Sequence, residues 1–376
     1  MMMKKVIFIL GTRPEAIKMA PLINKLKKQR SVNVKVCLTS QHKELLQQVL
    51  RIFSIKEDAD LDLMRPNQTL AAFGARALQA LDTYLINEKP EWVFVHGDTS
   101  TAMYSALAAY YQKIKVAHVE AGLRTHNKYS PFPEEINRSV IGSLADLHLA
   151  PTSLSRTNLL KENVNKDTIV VTGNTVIDAV KETYRNIKTG RLKVSKEVLE
   201  HCAKKNVILV TMHRRENFGG GLQSICEAIQ KLALMYPQFK FIYPVHPNPN
   251  VKNPVQNLLG GVNNVALIDP LNYVDFIYMM AASHIILTDS GGVQEEAPSF
   301  GKPVLVLREN TERPEAVKAG TVKLVGTDRK KIISTFNRLM QDKAFYDKMS
   351  KAINPYGDGK ACGRIIKAFL KQSGSK

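Results

Sequence analysis

The chain has 376 residues, 44% of them hydrophobic and 23% charged; its length suits two domains better than one, and its composition is that of an ordinary soluble protein. Its apolar runs are strand-sized, far below the roughly 18 residues a membrane helix needs, and the first of them is followed by Arg13, Glu15 and Lys18 with no small-residue cleavage site, so neither a membrane span nor a signal peptide is expected. The formal charge of +19 suits an anionic partner, but Lys and Arg are scattered without a basic arm or aromatic stripe, so a solvated surface or an anionic small substrate accounts for it without specific nucleic-acid binding.

In chain order, VIFIL, VKVCL, WVFVH, KVAHV, DLHLA and IVVTG predict one series of strands, and VILVT, FKFIY, NVALI, HIILT and PVLVL a second. Runs that are apolar nearly throughout, each followed by a helix-length segment, predict parallel sheets covered on both faces. The fold class is therefore α/β, with two Rossmann-like doubly wound domains. The first series ends near VVTGNTVIDAV and the second opens after KTGRLKVSKEVLEHCAKKN, which puts a hinge around 173–178. A last helix, GRIIKAFLKQ, follows the turn NPYGDGKACG. Cys37, Cys202, Cys226 and Cys362 lie far apart, with no C-x-x-C pair and no histidine at ligand spacing. They read as reduced core residues of a cytoplasmic protein, with no metal expected.

Ligands of doubly wound sheets bind beyond the carboxyl ends of the strands. After VIFIL come Gly11, Thr12, Arg13, Pro14 and Glu15. Thr12 and Glu15 fit a capping box, and Pro14 suits a first helical turn. Arg13 is left over: a guanidinium at a helix N-terminus opposes the macrodipole unless an anion lies between them. The G-x-G-x-x-G fingerprint is absent, which argues against a dinucleotide cofactor. WVFVH leads to Asp98, KVAHV leads to Glu120, and SPFPEEINRS opens a helix with Glu134 and Glu135. Singly, Asp98 reads as a helix cap and Glu134 as a helix-start acid. Together the acids on consecutive strand ends read as acid/base machinery, whose mutual repulsion in a shared cleft would raise at least one pKa.

In the second half, His213, Arg214, Arg215 and His246 follow neighbouring strands. Ser290, Gly291 and Gly292 open a helix where missing side chains let phosphate oxygens reach free N–H groups. Glu296 lies about one turn further on, placed to accept a ribose diol.

The motifs GTRPEAIKMAP, HGDTSTA, HVEAGLRT, SPFPEEINR, HRREN and DSGGVQEEAP run in this order over almost the whole chain. In them the sequence resembles the bacterial non-hydrolysing UDP-N-acetylglucosamine 2-epimerases. The resemblance implies a glycosyltransferase-B-like fold with an interdomain active-site cleft. Its parts would be an N-terminal domain, 1–175, a UDP-binding domain, 176–354, and a C-terminal helix, 355–376, returning to the first domain. It implies Asp98, Glu120 and Glu134 as catalytic carboxylates and His213 as the group assisting departure of UDP. It further implies Arg13, Lys18, His213, Ser290, Gly291, Gly292, Glu296 and Arg313 around the UDP-sugar, with Leu271 and Phe276 facing the uracil; an aromatic in an amphipathic helix such as Phe276 is equally at home in a core. A second, activating UDP-sugar site would use Gln41, His42, Arg214 and His246. The chain departs from that pattern at Glu44, where glutamine is expected, and at Asn67, where arginine is.

The activity implied is conversion of UDP-N-acetylglucosamine to UDP-N-acetylmannosamine by loss and return of UDP through a glycal, with no cofactor. Cytoplasmic supply of a bacterial surface polysaccharide and a homodimer are implied with it. The alternatives are a glycosyltransferase of the same architecture using a UDP-sugar donor and the hydrolysing epimerase branch; HVEAGLRT favours the non-hydrolysing one.

Overall fold

The computed structural model describes residues 3–40, 43–203 and 206–374. The chain divides into two compact units, Met1–Ala179 with Gly357–Lys376, and Val180–Tyr356.

In the first unit, β1 (Lys4–Leu10), β2 (Val32–Leu38), β3 (Ala59–Asp60), β4 (Trp92–His96), β5 (Lys115–Val119), β6 (Leu147–Ala150) and β7 (Ile169–Val171) form a parallel sheet in the order β3-β2-β1-β4-β5-β6-β7. In the second unit, β8 (Val207–Thr211), β9 (Lys240–Pro244), β10 (Val265–Ile268), β11 (Ser283–Thr288), β12 (Val304–Val306) and β13 (Val322–Leu324) form another in the order β10-β9-β8-β11-β12-β13, again all parallel. Both are doubly wound sheets, as the apolar runs predict: β4 and β8 are buried at every position because helices cover both faces. The edge strands β3 and β13 escape sequence reading, since two or three residues with partial burial carry no usable apolar pattern.

Strand order reverses between β1 and β4 in one sheet and between β8 and β11 in the other. At such a switch point the following segments leave to opposite faces and open a crevice at the strand ends. The turns at Gly11 and Asp98 flank the first crevice, and those at His213 and Ser290 the second.

The closing helix, Ala361–Gln372, packs within the first unit against the helix Arg13–Leu26. Its Phe369 ring stands edge-on to Trp92 at 5.6 Å and to Phe94 at 5.3 Å, while Phe94 stacks on Phe8 at 4.7 Å. The buried Asp178 carboxylate accepts hydrogen bonds from the backbone N–H groups of Ala361 and Cys362 at 3.0 and 3.2 Å. It thus satisfies orphan donors of that helix with the charge its N-terminus favours. The second core gathers Ile208, Val210, Phe241, Tyr243, Ile285 and Leu287 under Phe336. All four cysteines are buried, and none forms a disulfide. Among the described residues no helix is long and apolar enough to cross a membrane.

Candidate active site

At the end of β1 the capping box forms: the Thr12 side chain accepts from Glu15 N, and Glu15 Oε2 accepts from Thr12 N at 2.6 Å and Gly11 N at 2.9 Å. Glu15 does more than cap. Its other oxygen accepts from the Thr99 hydroxyl at 2.6 Å, and Thr99 is itself the N-cap of the helix Ser100–Tyr111. One buried carboxylate therefore locks the β1 and β4 turns together. Gly11 is required for space, since a Cβ there would lie 2.3 Å from Thr101 Oγ1. Arg13 lies half-buried in the first helical turn.

With Thr99 as cap, Asp98 is not one. Its carboxylate instead receives Arg138 Nε at 2.7 Å and Nη2 at 2.6 Å. Arg138 lies one turn beyond Glu134 on the helix Glu134–Leu144, and positions four apart share a helix face. Arg138 also pairs with the buried Glu135, whose second oxygen accepts Thr125 N and His126 N. Glu134 is half-buried at the head of that helix, and its side chain makes no hydrogen bond or ion pair among the described residues.

Glu120 stands in the left-handed region at φ 67°, a conformation that costs a non-glycine residue roughly 1–3 kcal/mol and persists only where its surroundings enforce it. Its backbone is held by Leu149 O, and its Oε2 accepts Lys18 Nζ at 2.5 Å and Asn174 Nδ2 at 2.9 Å. The fully enclosed His96 places Nε2 3.7 Å from the same oxygen, without a hydrogen bond. Burial pushes the His96 imidazole down to about 4, with Glu120 opposing, so at neutral pH it is uncharged. Asp98 and Glu120 each face a cation.

The second crevice is organised by Asp289, a fully buried carboxylate. It accepts from the backbone N–H groups of His213 and Arg214 and from Asn217 Nδ2, and it lies 3.4 Å from His213 Nδ1. Partial burial lowers the His213 pKa; Asp289 opposes this, while Arg214 and His246 add to it. The His246 ring lies nearly parallel to that of His213 at 6.2 Å.

Ser290 precedes the short helix Gly291–Glu296 and leaves its side chain out of the cap. A Cβ on Gly291 would come within 3.1 Å of Glu312 Oε1 and within 4.0 Å of Arg214 and Arg313 Nη2. Arg214, Glu312 and Arg313 thus converge on the helix start. Although burial opposes it, Arg313 and Arg308 hold Glu312 below its ordinary value. Arg313 donates to Glu295, and Glu296 lies within reach of Gly292, which leaves room for its carboxylate. Leu271 and Phe276 are half-buried on either side of Asn272, the cap of the helix Tyr273–Ala282. Gln41 and His42 lie outside the described residues.

Sequence reading missed the supporting residues His96, Arg138, Asn174, Asp289 and Glu312. Several sit inside the quoted motifs, but what marks them is a partner far away in sequence, which no local pattern carries.

Two doubly wound units, with carboxylates at one switch point and a cation- and glycine-rich helix start at the other, define a protein of the glycosyltransferase-B-like class. The family model described as "UDP-N-acetylglucosamine 2-epimerase" matches residues 24–370. A UDP-N-acetylglucosamine 2-epimerase of Campylobacter jejuni is 53% identical over 376 residues, covering 98% of each chain. The crystal structure of UDP-GlcNAc 2-epimerase from Neisseria meningitidis bound to UDP-GlcNAc is 51% identical, with TM-score 0.90 over 98% of this chain and 100% of that one. That of Methanocaldococcus jannaschii, in complex with UDP-GlcNAc and UDP, is 32% identical, with TM-score 0.80 over 98% and 99%. The chain belongs to the UDP-N-acetylglucosamine 2-epimerase family, and the resemblance read from its motifs is borne out.

Proposed function

We propose that the chain interconverts UDP-N-acetylglucosamine and UDP-N-acetylmannosamine without hydrolysis. The observation that carries this is the cation-backed carboxylate cluster at the β4 and β5 ends, in a chain related over its full length to epimerases. The C2 hydrogen of a UDP-linked amino sugar is not beside a carbonyl, so direct abstraction is unfavourable. Breaking the C1–O bond first sends its electron pair to the UDP oxygen and leaves an oxocarbenium-like C1, next to which the C2 proton becomes removable. A carboxylate takes that proton, giving the glycal. Protonation of C2 from the other face and return of the UDP oxygen to C1 complete the inversion, and no water is consumed.

In this reading Asp98, Glu120 and Glu134 move protons, with Lys18, His96 and Arg138 holding two of them in place. Arg13, Arg313 and the Ser290–Gly291–Gly292 turn take the diphosphate, His213 assists its departure, and Glu296 takes the ribose. Leu271 and Phe276 face the uracil. Arg214 and His246 belong to the nucleotide region or to an activating second sugar. The buried cysteines outside any disulfide suit a cytoplasmic enzyme, and the family suits a homodimer supplying a surface polysaccharide.

The test is NMR of UDP-N-acetylglucosamine with the protein alone in D2O. The expected result is the manno epimer with deuterium at C2 and no free sugar. Free N-acetylmannosamine would transfer the chain to the hydrolysing branch, and no turnover without an acceptor would favour a glycosyltransferase.

A further inference from the structure

Lys302 lies just before β12 in the second unit, half-buried, and makes no ion pair or hydrogen bond among the described residues. Burial alone pushes its ammonium below the usual lysine value. Buried charges are ordinarily paired, because lost hydration is otherwise unrecovered. Facing it, Lys181, Arg185 and Lys188 recur at helical spacing on Thr175–Lys188, so they share one face. Between them the Tyr184 and Phe300 rings meet edge-on at 5.1 Å, and the Lys188 ammonium lies 4.9 Å over Tyr184. These groups line a cavity of about 450 Å³, with no Asp or Glu among its described lining residues.

Ligand pockets run from about 300 to 1,000 Å³ and join apolar walls to a few convergent polar groups. Here every charged group in the wall is a cation, one of them an arginine whose fork suits two phosphate oxygens. The rings supply apolar surface for a planar group. None of these residues belongs to the candidate active site. We infer that this cavity binds a small phosphorylated molecule carrying a planar ring, of the nucleoside diphosphate class, at a site separate from the one that processes the sugar nucleotide.

The test is isothermal titration of the full chain with pyrophosphate and with adenosine 5′-diphosphate, in wild type and in variants of the cavity wall that leave the substrate's nucleotide site untouched. One saturable site is expected, tighter for the diphosphate nucleoside than for pyrophosphate. Binding is expected to weaken at least tenfold in Lys302→Met and in the surface double variant Arg185→Gln/Lys188→Gln, the latter chosen because exposed substitutions leave folding intact. Absence of saturable binding, or equal affinity in wild type and the double variant, would overturn the site. Equal affinity for the two probes would overturn the role given to the rings.

Discussion

Replacing Asp289 separates its two jobs. Its Oδ2 receives His213 N at 3.0 Å, Arg214 N at 2.9 Å and Asn217 Nδ2 at 3.1 Å. In Asp289→Asn an amide oxygen can keep that position, and three charge-assisted bonds become neutral ones. Charged bonds are about twice as strong as neutral bonds worth roughly 1 kcal/mol, so a loss of about 1 kcal/mol for each of the three, about 3 kcal/mol together, is expected. In Asp289→Ala the same donors have no acceptor, and the loss rises to about 5 kcal/mol. The second job is electrostatic. A full charge pair at the 3.4 Å His213–Asp289 separation is worth about 5 kcal/mol at an effective dielectric near 20. The imidazole is 43% exposed, so water screens most of this. Asp289 raises the His213 pKa, so its removal lowers it. If imidazolium assists UDP departure, activity then declines at lower pH as pH rises. The assays are urea unfolding by circular dichroism for both variants and the pH profile of kcat for Asp289→Asn. Equal stability of the two variants would refute the hydrogen-bond reasoning, and an alkaline limb unmoved or moved upward would refute the electrostatic one.

Lys18→Met strips the ammonium from the 2.5 Å contact with Glu120; kcat is expected to fall by about 100-fold, within the range of acid–base contributions, while UDP affinity by calorimetry stays within about threefold. A proportional loss of both would make Lys18 a general structural element. Arg13→Ala is expected to weaken UDP binding by about 10- to 100-fold, the loss of one charge-assisted diphosphate contact, and unchanged affinity would return the turn to a purely structural role. Burial holds His96 at about 4 and His118 at about 3, against 6.5 for free histidine. Because the folded form disfavours their protonation, their contribution is complete above pH 6.5 and is lost as pH falls towards those values. Each is worth up to about 1.4 kcal/mol per pH unit there. Between pH 6 and 4.5 the stability of His118→Gln should therefore fall less steeply than wild type, by about 1 kcal/mol per unit; parallel slopes in urea unfolding at several pH values would count against it.

The sequence by itself determined the architecture and the strand ends to inspect. Buried parallel strands must be apolar on both faces, so VIFIL, WVFVH and VILVT declare themselves, and the turn at Thr12–Glu15 is specified within four residues by its own hydrogen bonds. Local patterns of this kind survive in a linear reading because their physical causes are local.

Tertiary structure decided what each polar group faces. Asp98 reads as a helix cap until Thr99 is seen to take that place and Arg138, forty residues on, is seen to hold the carboxylate. Glu120 reads as one more acid, yet it is the strained residue on which Lys18, Asn174 and His96 converge from three other elements. Asp289 was passed over inside its own motif, although four groups of the β8 turn depend on it. Coulomb interaction and desolvation depend on distance and burial in three dimensions, and these are set only when the strands have paired and brought their ends together.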